Sequence, residues 1–144
     1  MSQENVELVV GLQPAPDADL VQLLRDDNIW AELTKAVAPF AHRDFECAFC
    51  RFDDVKTYAG LDGLRALWLD WLAPWARYRV EIDEAIDLGD RVLLLIHDYG
   101  CREGSTHEVE LSGSAIWTVR DGKIARAEFY PIRHDALTAA GLAE

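Results

Sequence analysis

Between residues 78 and 130 the chain falls into four long runs, 78–87, 91–101, 107–120 and 123–130, separated only by short turn segments. Each run alternates apolar and polar residues, the pattern of a strand with one face toward a core. The breaks are Leu88-Gly89, Arg102-Glu103-Gly104-Ser105 and Asp121-Gly122. Asp-Gly between alternating segments signals a hairpin, because a type I′ turn needs φ > 0 at both central residues. The runs therefore predict an antiparallel meander whose turns decide which side chains share a face. A slip of one residue would turn each of them to the opposite side.

The segment before the meander reads as helical. A short amphipathic stretch over 3–12, with Ser2 as its N-cap, is broken by Pro14 and Pro16. A second run covers 17–26, and Asn28 is placed to cap a third, in which Ile29, Trp30, Leu33 and Val37 recur at helical spacing. Strands are expected over 45–52 and 55–58, with Asp53-Asp54 between them. A helix from Gly60 to about Ala73 carries Leu61, Leu64, Trp68, Trp71 and Leu72 as a broad apolar stripe, and the simplest use of such a stripe is core. A short helix over 134–142 follows the meander. Helices first and one long meander after them predict a single α+β domain over 1–144, its sheet curled around the helices.

Charge narrows the partners. Fourteen Lys and Arg against 26 Asp and Glu leave a net charge of −12, a field that repels nucleic acid and anionic membrane surfaces. No apolar run of membrane length and no basic leader is present, so a cytoplasmic protein is expected. Cys47-Ala48-Phe49-Cys50 has the spacing of half a zinc site or a redox pair. It falls in an expected strand, where residues three apart face opposite ways, and no second Cys-x-x-C or spaced His pair completes it. Inert buried thiols, no metal and no cofactor are the expectation.

Pairing across the turns gives rows of neighbours. With Leu88-Gly89 as centre, Ile86 faces Arg91, Glu84 faces Leu93 and Val80 faces His97. A hairpin centred near Gly104 sets Arg91 beside Trp117 and Leu93 beside Ala115. The Asp121-Gly122 turn sets Trp117 beside Arg126, Ala115 beside Glu128 and Gly113 beside Tyr130. One face then carries Arg91, His97, Tyr99, Trp117, Arg126, Glu128 and Tyr130 among apolar neighbours, the make-up of a pocket wall. The other face has an apolar middle of Val92, Leu94, Ile96, Ile116 and Phe129, which a partner subunit would cover.

Several motifs resemble those of SnoaL-like proteins in the nuclear transport factor 2 and ketosteroid isomerase superfamily. They are the opening Met1-Ser2-Gln3-Glu4-Asn5-Val6-Glu7, then Gly60-Leu61-Asp62-Gly63-Leu64-Arg65, Gly89-Asp90-Arg91-Val92, and Trp117-Thr118-Val119-Arg120-Asp121-Gly122-Lys123-Ile124. The resemblance runs from about Phe45 onward and is weak between Leu12 and Phe40. It implies a cone-shaped fold, a strongly curved antiparallel sheet wrapped around N-terminal helices, with an internal pocket and a homodimer through the outer sheet face. Catalytic residues do not carry over. The isomerase base aligns with Phe49 and the buried isomerase acid with Ala115. The Arg and last-strand acid of the epoxide hydrolases fit Arg91 and Glu128, but the middle Asp position is Leu93.

The expected function is a pocket for a small, largely apolar molecule bearing a polar oxygen. His97, Tyr99, Trp117, Arg126 and Tyr130 are expected to line the ligand; in one alternative Glu128 is the general base of an isomerase, cyclase or hydrolase, with Arg91 or a tyrosine as its oxyanion partner. In that reading an apolar setting raises the Glu128 pKa; in the opposing one the flanking guanidiniums hold it as an internal ion pair. A third possibility is a non-catalytic dimer module whose pocket is filled by its own side chains.

Overall fold

The computed structural model describes residues 2–51 and 54–142. Helices α1 (Ser2–Gly11), α2 (Leu20–Arg25) and α3 (Asp27–Val37) lead, through a short 3-10 turn, into strand β1 (Ala41–Arg51). Strand β2 (Asp54–Ala59) and helix α4 (Gly60–Leu72) follow. Then come β3 (Trp75–Asp87), β4 (Arg91–Arg102), β5 (Glu108–Arg120), β6 (Lys123–Tyr130) and α5 (Arg133–Ala139). The strands form one curved, unclosed sheet in the order β2-β1-β6-β5-β4-β3, antiparallel except where β1 runs parallel to β6. The α+β cone expected from the sequence is the observed architecture. Phe52 and Asp53 of the expected β1 end and turn lie outside the described residues, as does the Ser2 side chain.

Side-chain caps and cross-links seat the helices in the cone. The Asp19 carboxylate caps α2 by accepting from Val21 N at 3.0 Å, and it also accepts from Tyr78 N at 3.1 Å, tying α2 to β3. Helix α3 is capped by Asp26 rather than Asn28: its carboxylate accepts from Asn28 N at 2.8 Å and Ile29 N at 3.1 Å. Arg65 on α4 donates to Leu24 O at 2.7 Å and to Asp27 at 2.7 Å. Arg25 donates to Leu72 O at 3.3 Å, satisfying a carbonyl that the end of α4 leaves open.

The strand registers depart from those expected, and the departures invert the reading of the faces. The first hairpin closes one residue later, with Leu88 N donating to Arg91 O at 2.9 Å, so Ile86 pairs with Leu93. A bulge between Ile82 and Glu84 then reverses the phase, leaving Val80 opposite Asp98. In the middle hairpin Cys101 pairs with Glu108, so its centre lies between Gly104 and Ser105, and Trp117 pairs with Val92 instead of Arg91. The last turn forms as expected, with φ of 55° at Asp121 and 74° at Gly122. A bulge between Thr118 and Val119 follows, and Trp117 pairs with Ala127, not Arg126.

The concave face consequently carries Val92, Leu94, Ile96, Asp98, Ala115, Trp117, Ala127 and Phe129, packed with Val9, Leu20, Leu24 and Leu67 from the helices. The convex face carries Ala48, Cys50, Leu93, Ile116 and Tyr130. Helix α5 packs on it through Ala136 and Ala140, and Leu93 and Ile116 are fully buried beneath. The outer face, expected to be left for a partner subunit, is covered in part by α5. Val92, Leu94, Ile96 and Phe129, expected there, point the other way.

Candidate functional site

Strand β4 alternates Val92, Leu94, Ile96, Asp98 toward the inside of the cone. The row begins as core and ends in a carboxylate. Asp98 is only 6% exposed and forms part of the lining of a cavity of about 110 Å³ between α4 and the sheet. Leu67, Trp68 and Trp71 of α4 wall it on one side; Phe49, Ile96, Leu111 and Phe129 wall it on the other. The Trp stripe of α4 thus does two jobs. Trp68 meets the Phe129 ring edge-on at 5.4 Å, and Trp71 lies 5.8 Å from Phe49, while both indoles border open space.

A relay of hydrogen bonds fixes the carboxylate. Trp71 Nε1 donates to the Tyr78 hydroxyl at 2.8 Å, and that hydroxyl donates to Asp98 Oδ2 at 2.5 Å. The hydroxyl thus accepts from the indole and gives its one proton to the carboxylate. The second oxygen, Oδ1, is buried and no donor meets it at hydrogen-bond geometry, although the Gly113 backbone is near enough to act on the carboxylate. It lies against Gly113, where an added Cβ would come within 2.8 Å of it. Burial raises the Asp98 pKa to about 6, against the lowering pull of the Tyr78 hydrogen bond, the His97 charge and the Gly113 backbone. Burial and the neighbouring carboxylate push the Tyr78 hydroxyl well above its ordinary value. Near neutrality the pair is a phenol and a carboxylate whose pKa suits proton transfer.

The residues expected to share the pocket wall are distributed otherwise. Arg91, His97, Tyr99, Arg126 and Glu128 share a face as expected, but it is the convex one, because Trp117 pairs with Val92 and Ala127 on the concave side and not with Arg91 and Arg126. Arg91 donates to Ala139 O at 3.3 Å, near the end of α5. His97 bonds Asp83 at 2.7 Å and Glu110 at 3.0 Å, and the hydrogen bond to Asp83 holds its pKa above the ordinary value. The Arg79 guanidinium lies 3.9 Å over the Tyr99 ring. Glu128 accepts from the Tyr130 hydroxyl at 3.0 Å and lies 3.7 Å from Arg126, which also contacts Glu46. Arg126, Glu128 and Tyr130 are thus brought together, as an ion-pair network on the outer face.

Trp117 does lie on the concave face, stacked on Phe45 at 6.4 Å and edge-on to Phe129 at 5.9 Å. It packs there as core and does not line the cavity, although its Nε1 is buried without a partner. Tyr130 borders the cavity at its end, while its hydroxyl bonds outward to Glu128. Phe49, which aligns with the isomerase base, is in the cavity wall. The face reading set Asp98 on the outer side, and Tyr78 was not singled out as a site residue. A carboxylate in phase with Val92, Leu94 and Ile96 was the available signal.

The three cysteines are free and buried, Cys47 inside the cone and Cys50 under the convex face. Burial pushes the Cys47 thiol up to about 12, away from reactivity. Among the described residues no cluster of His, Cys, Asp or Glu has the make-up of a metal site. Among them, too, no helix is long and apolar enough to cross a membrane.

A family model described as the SnoaL-like domain matches residues 19–127. No curated protein matches the chain. A candidate SnoaL-like polyketide cyclase from Jannaschia superposes with a TM-score of 0.65 at 17% identity, covering 99% of this chain and 94% of that one. A protein described as NTF2-like, from Burkholderia xenovorans, gives 0.60 at 21% identity and covers 97% of each chain. AclR, a candidate hydroxylase from Streptomyces galilaeus, gives 0.59 at 14% identity with full coverage of both, 100% and 100%. At these identities the likeness is one of fold.

Proposed function

We propose a function for a chain that belongs to the SnoaL-like family: its cone binds a small, largely apolar molecule by a polar oxygen or acidic C–H group, and Asp98 accepts the proton. The observation that carries this reading is Asp98 Oδ1, buried at the cavity and met by no donor at hydrogen-bond geometry, while Oδ2 is held by Tyr78. A buried acceptor left open is costly unless something fills the position. The aromatic and aliphatic lining supplies the apolar contact, and the Tyr78–Trp71 relay keeps the carboxylate from rotating away. Such an arrangement fits isomerase- or cyclase-type proton transfer, with Asp98 as base where Glu128 was expected.

A thermal-shift titration with 2-naphthol, phenol and cyclohexanol tests the binding step. Stabilisation of the wild-type chain that disappears in Asp98→Leu is the expected result. Stabilisation that survives in Asp98→Leu, or none from any of these compounds, would end the proposal.

A homodimer through the convex face is the second part of the reading. With α5 in place, half-buried Ile86, Leu88, Leu95 and Leu137 around the Ala136 and Ala140 contact are the apolar ground left for it. Sedimentation at micromolar concentration decides between dimer and monomer. Free buried cysteines are in keeping with the reducing cytoplasm.

A further inference from the structure

Arg133 is the first residue of α5, at the end of a helix where the backbone dipole disfavours a cation, so its charge does not serve that helix. The chain before it explains its place. Strand β6 ends with Tyr130 opposite Ser114, and Pro131, which has no N–H, cannot extend the ladder along β5. The chain leaves the sheet there, and α5 packs back over the convex face through Ala136 and Ala140. That return lays the Arg133 side chain, 29% exposed, against the back of the β4–β5 pair.

Arg133 Nη2 donates to Ile96 O at 2.9 Å and to Gly113 O at 3.5 Å. These two residues pair directly across β4 and β5, and both line the Asp98 cavity. The same nitrogen lies 3.3 Å from Asp83 Oδ2, the oxygen that also meets His97 Nδ1 at 2.7 Å. One guanidinium, steadied by Asp83, therefore holds β4 two residues before Asp98 and also holds the glycine against which Oδ1 lies.

A half-buried cation behind a buried carboxylate also favours its ionised form. Burial raises the Asp98 pKa, and Tyr78, His97, the Gly113 backbone and Arg133 pull it down, in that order. Tyr78 acts from inside the cone; His97 and Arg133, with their counter-charges Asp83 and Glu110, stand on the convex side. We infer that Arg133 is a positioning residue for the proton acceptor: without touching the ligand, it keeps Gly113 against Asp98 and supports the carboxylate form through the sheet. This inference rests on the Asp98 reading above.

Carboxyl NMR titration of Asp98 over pH 4–8, run beside calorimetry with 2-naphthol at pH 7, tests it. Arg133→Gln is expected to raise the Asp98 midpoint and to weaken 2-naphthol binding about three- to tenfold, the range for a residue that acts without contacting the ligand. Arg133→Lys keeps the charge and should bring the midpoint back to that of the wild type, a rescue that a purely structural clamp does not predict. An Arg133→Gln chain with wild-type midpoint and affinity overturns the role, as does a midpoint that lysine fails to restore. Should Arg133→Gln not fold, the Arg133 Nε–H resonance of the wild type decides. It should shift with the Asp98 midpoint, in a step that vanishes in Asp98→Asn, and absence of that step overturns the role. If the wild type binds 2-naphthol, Asp98→Leu does not, and Arg133→Gln changes neither readout, Arg133 alone is rejected and the Asp98 reading stands. If the wild type does not bind 2-naphthol, both fall.

Discussion

The Gly113 backbone runs so close to Asp98 that a methyl group added to it would sit 2.8 Å from Oδ1. The absence of a side chain on β5 is what lets a carboxylate on β4 keep one oxygen toward the cavity. Gly113→Ala should therefore push the carboxylate off its Tyr78 bond or force the strands apart, at a cost of about 1–3 kcal/mol. Chemical denaturation would register the loss. The same variant should lose stabilisation by 2-naphthol, and unchanged stability together with unchanged binding would contradict the close approach.

Asp98 also gives stability a pH dependence of defined sign. Its folded pKa, about 6, lies above the ordinary 3.8, so the folded chain holds this proton more tightly than the unfolded one. The contribution is complete below the unfolded value and is lost as pH rises through 6. Two pKa units correspond to about 3 kcal/mol. The lowered pKa values of Asp83 and Glu108 act in the opposite direction, so the comparison must be with a variant lacking only Asp98. The gap in unfolding free energy between wild type and Asp98→Asn should shift against the wild type between pH 4 and pH 7. A gap that stays constant would mean that Asp98 titrates normally.

Tyr78→Phe removes the donor that holds Oδ2 and leaves Trp71 Nε1 without its acceptor. Loss of two buried hydrogen bonds should cost about 2–4 kcal/mol. Because the Tyr78 bond lowers the Asp98 pKa, its removal should raise that pKa further. Carboxyl chemical shifts followed by NMR across pH 4–8 would read the midpoint directly. A midpoint that moved down would put the bond's electrostatic role in error.

Much of the architecture was legible in the sequence. The Asp121-Gly122 turn, the long runs on either side of it and the α4 stripe all fell where alternation and turn chemistry placed them. Register was another matter. A bulge is one extra residue in a strand that still alternates on both sides of it, so nothing in the residues around Asp83 or Ala125 announced the change of phase. The misses at β4–β5 and β5–β6 set Ala115 and Trp117 beside the wrong neighbours: Arg91, His97 and Glu128 do share a face, but Ala115 and Trp117 share the other with Asp98, and that is the inner one. Helix α5 was foreseen, but its seat against Ile116 and Leu93 depends on tertiary packing that local pattern does not encode. The result is an outer ion-pair network where a pocket wall was expected.

The exchange of faces can itself be tested at Glu128. Its partners Tyr130 and Arg126 hold it on the convex side, with the sheet between it and the Asp98 cavity. Glu128→Gln keeps the shape and the Tyr130 hydrogen bond while removing the charge that Arg126 faces. Half-buried surface pairs of this kind contribute little, so stability should change by less than about 1 kcal/mol. Binding of 2-naphthol should be the same as in the wild type within a factor of about two, since the cavity lies on the far side of the strand. Thermal shift and calorimetry on the variant would measure both. A variant that folds normally yet no longer binds would return Glu128 to the ligand site, and with it the register in which β5 and β6 pair one residue out of the phase described above.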